Sequence, residues 1–376
     1  GIQTDRGQIA ATIDSTNRRP VSISTNGTQL FIVYPSTQKA FIFTLATNVL
    51  TDVTATAGGG VAIWGQFLDG YFLALGNDGK VYFSSLNDGL TWAALDYFTP
   101  EAGPDFAKMI LAHRGELFIF GDDTIERWFN SGNADVPFQP TKGATVQGGL
   151  LFTYSVGVLG DNFFWVGKHP QGGAGVFTMD GYMPRRISNH AVENSLRLNP
   201  SSGTLPVAWT HEVNGHAFYI FTYPNTQFTD SGTVETWSYD ATTGMWCELM
   251  YLNGSTEESH RGRCSCSVIT TEGATRRVLV GDVLNGKIYQ MDLAYLDDDG
   301  NTIRRIRRAP HIYNGGERIP IRTLQIEGEY GLAANQRLDL RWSKDGGKTF
   351  TGYQTRDVGT AGGRGSGVTA VVIAGG

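Results

Sequence analysis

The chain has 376 residues, a net charge of −6 and 49 glycines, and 11% of its residues are aromatic but only 18% charged. So many turn residues together with so many large rings exclude a helical bundle, a coiled coil and a disordered tail. The negative charge argues against a protein that grips nucleic acid through its phosphates, because such proteins are usually basic. The three cysteines are too few for a disulfide framework, and we expect them to be reduced.

A glycine turn followed by a short apolar strand recurs along the chain, and a second strand often follows it. The starts of this pattern lie roughly forty to sixty residues apart, which is the period of β-propeller blades. The seven starts are five turns, Asn26-Gly27, Asp69-Gly70, Arg114-Gly115, Gly160-Asp161 and Asn214-Gly215, and two weaker echoes at Arg277 and Arg337.

The repeat predicts an all-β fold, a β-propeller of six to seven blades with loop insertions. We expect one propeller across residues 1–376. Because the last intervals are the longest, insertions are predicted within 222–275 and 293–335. The apolar segment 368–373 is a candidate to close the ring by pairing with an N-terminal strand. A long β-sandwich or two small β domains are the alternatives.

Only one helix is predicted, over residues 189–198, with Asn189 as its N-cap. The longest uncharged stretch, 143–160, contains five glycines and several polar residues. This composition favours paired strands over a membrane helix, so no membrane segment is expected.

Two eight-residue phrases, 85–92 and 343–350, fit the pattern S-x-D/N-x-G-x-T-W/F and resemble the Asp-box hairpin of sialidases and other propellers. In this hairpin the Asn or Asp side chain accepts backbone amide hydrogen bonds, glycine supplies a left-handed turn and the ring packs under the loop. The predicted role is structural and implies no chemistry. The matched residues are Ser85, Asn87, Gly89, Thr91 and Trp92, then Ser343, Asp345, Gly347, Thr349 and Phe350.

A glycan-binding or sialidase-like glycan-cleaving propeller is the alternative function. Arg318-Ile319-Pro320 resembles the R-I-P phrase of sialidases, but there the arginine precedes the first Asp box and here it follows. His211 and His216 resemble a zinc protease motif but do not fit it. They are five residues apart, and the turn Asn214-Gly215 lies between them. A zinc protease helix needs a spacing of four. We therefore predict no catalytic residue, no cofactor and no metal.

A run of arginines follows the acidic residues Asp297-Asp298-Asp299. One interpretation is a solvated loop of opposed charges, and the other is a docking patch for an acidic partner surface or for passing DNA. The residues of the possible patch are Arg304, Arg305, Arg307 and Arg308.

The middle of the chain resembles the P22-like packaged-DNA stabilisation proteins, which are the tail hub or nozzle proteins of short-tailed phages. The resemblance covers roughly residues 110–250, and the rest of the chain matches loosely. The segments that carry it are 124–132, 136–138, 162–167, 175–177, 186–193, 237–240 and 244–246.

This resemblance implies a structural protein of the virion tail and not an enzyme. It implies self-assembly into a ring, expected as a hexamer, below the portal and tail adaptor. The ring would extend the DNA channel, help to retain packaged DNA, and carry fibre, spike or needle proteins. Double-stranded DNA would be a transient partner in the channel, and a net-negative wall repels phosphate. An unrelated cellular scaffold propeller is a third possibility.

Overall fold

A computed structural model describes all residues except 1–18, 101–104, 169–171, 199–205, 223–234, 270–275, 310–311, 313, 316–320, 322, 331–336, 358–366 and 375–376. The chain divides into two compact units, Gly1–Arg304 and Arg305–Gly376. Within the described residues the structure is mostly strands with one α-helix.

In its described residues the first unit contains six antiparallel sheets of three or more strands, which we call blades 1 to 6, and one two-stranded hairpin. In each blade, apart from the last short strand of blade 3, the strands that follow one another along the chain lie side by side. Blade 1 consists of β1 (Ser22–Thr25), β2 (Gln29–Tyr34), β3 (Lys39–Thr44) and β4 (Val49–Asp52). Blade 2 consists of β5 (Ala62–Leu68), β6 (Tyr71–Gly76), β7 (Val81–Phe83) and β8 (Tyr97–Phe98). Blade 3 consists of β9 (Met109–His113), β10 (Glu116–Phe120), β11 (Thr124–Asn130) and β12 (Phe138–Pro140), with β13 (Val146–Gln147) also paired to β11.

The helix lies between blades 4 and 5 in the chain. Blade 4 consists of β14 (Gly157–Leu159), β15 (Asn162–Lys168), β16 (Ala174–Asp180) and β17 (Met183–Arg186), and is followed by α1 (His190–Leu198). Blade 5 consists of β18 (Val207–Val213), β19 (His216–Thr222), β20 (Thr236–Asp240), β21 (Met245–Asn253) and β22 (Thr256–Ser259). Blade 6 consists of β23 (Gly262–Ile269), β24 (Arg276–Asp282) and β25 (Ile288–Met291), and a small hairpin, β26 (Asp297–Asp298) with β27 (Asn301–Thr302), follows it.

The five glycine turns predicted from the repeat join the first two strands of blades 1 to 5, whereas the start at Arg277 lies within β24 of blade 6. Asp69 and Asn214 each have φ of 48°, and the glycines after them, Gly70 and Gly215, have φ of 89° and 80°. Two successive left-handed residues form the tight turn that matches the twist of a hairpin. Glycine adopts this conformation without a Cβ clash, so the repeated glycines are explained by the repeated hairpins.

Apolar clusters fill the spaces between neighbouring blades. Phe31 of blade 1 packs with Phe72 of blade 2, their ring centroids 5.6 Å apart. Phe120 of blade 3 packs with Phe163 and Trp165 of blade 4, and Trp165 is fully buried. Similar clusters join blades 2 and 3, blades 4 and 5, and blades 5 and 6. The six sheets are thus arranged as a six-blade propeller, and the predicted fold class is confirmed.

Glycine also permits two neighbouring blades to approach closely. A Cβ added to Gly65 on β5 would lie 2.6 Å from the ring of Phe31 and 2.9 Å from Val33. At the same point the Ser22 hydroxyl donates to the Gly65 carbonyl at 2.6 Å, and the Gly65 amide donates back at 3.1 Å. Gly65 therefore allows the first strands of blades 1 and 2 to meet.

The predicted helix is confirmed with its cap. The Asn189 side chain accepts a hydrogen bond from the Val192 amide at 3.0 Å. Val192 and Leu196 are buried in the cluster between blades 4 and 5, and Ser195 accepts from the indole of Trp237 at 3.1 Å. The helix therefore packs against the junction of blades 4 and 5.

The second unit contains two antiparallel strand pairs in its described residues. β28 (Thr323–Tyr330) pairs with β31 (Gly367–Ala374), and β29 (Arg337–Leu340) pairs with β30 (Gln354–Asp357). The segment predicted to meet an N-terminal strand is thus part of β31, and residues 1–18 lie outside the described residues. The last repeat start, Arg337, begins β29. The single propeller over 1–376, with insertions within 222–275 and 293–335, stays a prediction.

Replacing Gly65 with alanine tests the packing of blade 1 against blade 2. We expect Gly65→Ala to lower the free energy of unfolding by about 1–3 kcal/mol, because the new methyl overlaps the Phe31 ring and Val33. Urea unfolding followed by tryptophan fluorescence measures this. The matched control is Gly286→Ala, where an added Cβ meets nothing within 4 Å. Equal midpoints for the two variants would contradict the role assigned to Gly65.

Candidate functional site

The first Asp-box phrase forms a loop between β7 and β8 of blade 2. The acceptor side chain is that of Asp88, one residue later than the expected Asn87: its carboxylate accepts from the Leu90 amide at 2.9 Å and from the Thr91 hydroxyl at 2.7 Å. These hydrogen bonds lower the pKa of Asp88 below its usual value. Asn87 instead supplies the left-handed residue, with φ of 57°. The Ser85 amide donates to the Thr91 carbonyl at 2.9 Å and closes the loop.

This loop is tied to blade 1 through Gly89. The Gly89 amide donates to the side-chain oxygen of Gln29 on β2 at 2.9 Å. A Cβ at Gly89 would lie 2.4 Å from Ile42, so glycine here serves close approach. The Trp92 indole donates to the Gly89 carbonyl at 2.7 Å, and its buried ring lies 5.4 Å from that of Phe31. The loop fastens blade 2 to blade 1 through Gly89 and Trp92, and the side chains of Asp88 and Thr91 hydrogen-bond within the loop.

The second Asp-box phrase lies in the second unit, between β29 and β30. Asp345 accepts from the amides of Lys348 and Thr349 at 3.0 and 2.9 Å and from the Thr349 hydroxyl. Ser343 accepts from the Gly347 amide at 2.7 Å, and Gly347 has φ of 91°. The Thr349 hydrogen bonds lower the pKa of Asp345 well below its usual range.

The aromatic residue that ends each phrase differs in burial. Phe350 is 44% exposed, whereas Trp92 is 8% exposed. The guanidinium of Arg341 lies 4.7 Å from the Phe350 ring centroid and covers one of its faces. The second phrase thus has the hydrogen bonds of the hairpin but not the buried ring that the sequence predicts.

The arginines of the possible docking patch fall on both sides of the division between the units. Arg304 ends the first unit and forms an ion pair with Glu257 of β22. Arg305, Arg307 and Arg308 belong to the second unit and are exposed. The aspartates that precede them make local contacts, including an ion pair of Asp299 with Lys287 at 2.7 Å. A docking patch at these arginines stays a prediction.

Histidines gather between blades 5 and 6, which the sequence did not predict. His211 on β18 is 7% exposed and stacks on Trp209 and Phe218 at 5.3 and 4.9 Å between ring centroids. His260, in the loop before β23, lies 5.8 Å from Trp209 on the same measure. The Gly262 amide donates to Nδ1 of His260 at 3.1 Å, so this nitrogen carries no proton.

Both imidazoles are held neutral. Burial lowers the pKa of His211 to about 4. Burial, followed by the nearby charge of Arg263, lowers the pKa of His260 to about 4, against a smaller opposing effect of Asp282. The other histidine of the apparent zinc motif, His216, begins β19 and lies 2.8 Å from a carboxylate oxygen of Asp240. The two histidines of that motif thus sit on paired strands and not on one helical face.

The residues that the structure describes hold no cluster of three or more acidic, histidine or cysteine side chains suited to a metal ion. Arg318, the residue of the sialidase-like phrase, lies outside the described residues. No helix among the described residues is both long and apolar enough to span a bilayer.

Substitutions in the first Asp-box phrase separate the roles of Asp88 and Asn87. We expect Asp88→Ala to lower the free energy of unfolding by about 1–2 kcal/mol, because two donors lose their acceptor. Asn87→Gly should change it by only a few tenths, because glycine also tolerates a left-handed backbone. Urea midpoints for the two variants give the comparison. A larger loss in Asn87→Gly would show that the Asn87 side chain is the acceptor.

The buried histidines make stability depend on pH. Their pKa is about 4 in the folded chain and about 6.5 when unfolded, so the unfolded state binds more protons between these values. The stability they provide is complete above pH 6.5 and is lost as the pH falls toward 4. Protonation of each histidine should lower the free energy of unfolding by at most about 1.4 kcal/mol for each unit by which the pH falls. Urea midpoints between pH 7.5 and 5 measure this, and His211→Phe should flatten the curve. A curve as steep as that of the unsubstituted chain would refute the assignment.

Three solved structures resemble the chain, with low sequence identity. The N-terminal domain of Nup159 is 9% identical, covers 70% of this chain and 73% of its own, and has a TM-score of 0.40. BamB from Moraxella catarrhalis is 14% identical, with coverages of 77% and 76% and a TM-score of 0.38. Sqt1 from Saccharomyces cerevisiae is 9% identical, with coverages of 72% and 74% and a TM-score of 0.40.

Comparison of the sequence with known proteins and family models assigns the chain to a family. No curated protein matches the chain. A family model does match, over residues 2–295, and it describes Bacteriophage P22 Gp10, a β-propeller. The matched residues contain all six blades, and the match agrees with the resemblance of the middle segments. The chain therefore belongs to the family of Bacteriophage P22 Gp10-like β-propeller proteins.

Proposed function

We propose that this protein is a structural subunit of a phage tail. It forms the hub or nozzle ring that extends the DNA channel below the portal and adaptor, helps to retain packaged DNA and carries tail appendages. The observation that supports this most directly is the family match over residues 2–295. Its partners are further copies of itself, expected as a hexamer, the adaptor and portal, and fibre, spike or needle proteins.

Charge and architecture agree with this proposal. A net charge of −6 repels DNA phosphates overall, so double-stranded DNA is a passing partner. Apolar clusters between successive blades make the first unit a rigid support, and loops at the edges of such a support are free to contact neighbours. A rigid subunit with free edge loops suits a ring that others attach to.

Labelling of purified virions tests the location. Antibody fragments raised against this chain should decorate the tail vertex in electron micrographs, and averaging of the tail should show a ring with six copies of the label. Label on the capsid wall, or virions without the chain, would refute the tail assignment. A ring with another symmetry would refute the hexamer but not the tail location.

A deletion of the gene tests DNA retention separately. Particles assembled without this protein should package DNA and then lose it, so nuclease-sensitive DNA should rise during assembly. Supplying the protein from a plasmid should restore retention. Particles that keep their DNA but fail to infect would support a role in attachment only.

We also infer that the protein is not an enzyme. In the first Asp-box phrase the polar groups of Asp88, Thr91 and Trp92 are engaged in local hydrogen bonds. A fluorogenic sialoside assay and a glycan array test the glycan-active alternative, and no turnover or binding is expected. Turnover that vanished in Arg318→Ala and persisted in Arg197→Ala would overturn this inference.

A further inference from the structure

A cavity of about 670 Å³ lies between the outer parts of blades 3 and 4. Arg127 of β11 forms one wall, and the segment 142–148, which includes β13, forms a second. Residues 182–184 and Arg186, at β17, form the third, and the ring of Phe177 on β16 also lines the cavity. Its volume is within the range of ordinary ligand sites.

The lining of this cavity is positively charged although the chain is acidic. Arg127, Lys142 and Arg186 all line it, and no aspartate or glutamate does. The chain as a whole has a net charge of −6. The surface that faces the cavity thus carries three cations and no carboxylate, and it favours an anionic occupant.

Arg127 is held in a fixed orientation at the cavity. Its guanidinium lies 3.7 Å from the ring centroid of Tyr182, and its Nε lies 3.4 Å from a carboxylate oxygen of Glu116. Nε and Nη1 are both buried and have no hydrogen-bond partner within the described part of the chain, so Glu116 offsets the charge without accepting a hydrogen bond from Nε. A buried donor without an acceptor costs free energy until an acceptor reaches it. A planar, oriented guanidinium is suited to a carboxylate, which can accept two parallel hydrogen bonds.

The other two cations are placed to extend this site. The Nε of Arg186 lies 3.5 Å from a carboxylate oxygen of Glu193, which orients it, and its side chain is about half exposed. Lys142 is exposed. Glu116 and Glu193 offset two of the charges, so Lys142 leaves the site positive. Cations from three separate segments suit an extended ligand with more than one negative group.

We propose that this cavity binds an acidic peptide segment of a partner protein, with Arg127 receiving one of its carboxylates. Tyr182, Met183 and Pro184 give the wall an apolar part on which a peptide packs. Duplex DNA does not fit, because its phosphates lie on a wide cylinder and the cations lie in a recess. The proposal concerns this cavity alone and does not depend on the location of the protein in a tail.

Fluorescence anisotropy with the full chain tests the proposal. The probe is a fluorescein-labelled hexaglutamate peptide at about 50 mM salt, where screening is modest. Hexaglutamine serves as the neutral control and a labelled hexathymidylate as the phosphate control. We expect saturable binding of hexaglutamate and weaker binding of both controls. No saturable binding, or tighter binding of hexathymidylate, would overturn the proposal.

Variants then locate the site. Arg127→Lys keeps the charge but removes the planar fork, and it should weaken binding about tenfold or more. Lys142→Gln, an exposed change, should weaken it about threefold even if Arg127→Lys does not fold. The matched control is Lys39→Gln on β3 of blade 1, which should leave binding unchanged. Equal weakening in Lys39→Gln and Lys142→Gln would show attraction to the whole surface and overturn the proposed site.

Discussion

Face-to-face packing between neighbouring sheets is the interaction on which the rest of this structure depends. A sheet of three to five strands is too small to bury both faces alone, so each blade needs neighbours. Phe31, Phe72 and Trp165 are fully buried only because rings from an adjacent blade cover them. Near the first strands there is little room for side chains. A Cβ on Gly65 would strike blade 1, and one on Gly157 would lie 2.9 Å from Thr210 and 3.0 Å from Tyr219 of blade 5.

Features set by neighbouring residues in the sequence could be predicted. The turns at Asp69-Gly70 and Asn214-Gly215 are local, because the left-handed backbone of two residues decides them. The helix at His190–Leu198 is local too, since Asn189 caps it through its own side chain. The repeat of such turns predicted the propeller. A hairpin that recurs at the period of a blade can bury both faces of its sheet in few other architectures.

Features that need two blades could not be predicted. His211 and His260 come from a strand and a loop far apart in the chain, and only the packing of blade 5 against blade 6 brings them together around Trp209.

The first Asp-box phrase differs from its prediction for a local reason, because Asn87 and Asp88 exchange the roles that the pattern assigns to them. Asn87 is in the left-handed conformation, so Asp88 accepts the hydrogen bonds, and a charged carboxylate is a stronger acceptor than an amide.

Packing between neighbouring sheets also divides the side chains of a blade into two groups. Some are fixed in shape by the adjacent blade, and others are free to bind a partner. Buried side chains from every strand position, including Phe98 of β8 and Phe138 of β12, are committed to the clusters, so a change there alters two blades at once. The segments 142–148 and 182–186 lie at outer edges, where blades 3 and 4 diverge and leave a recess. Side chains on such edges can vary without loss of packing. Specific contacts with partners are therefore expected in recesses between the outer strands, and the charge at Arg127 and Lys142 is the clearest case.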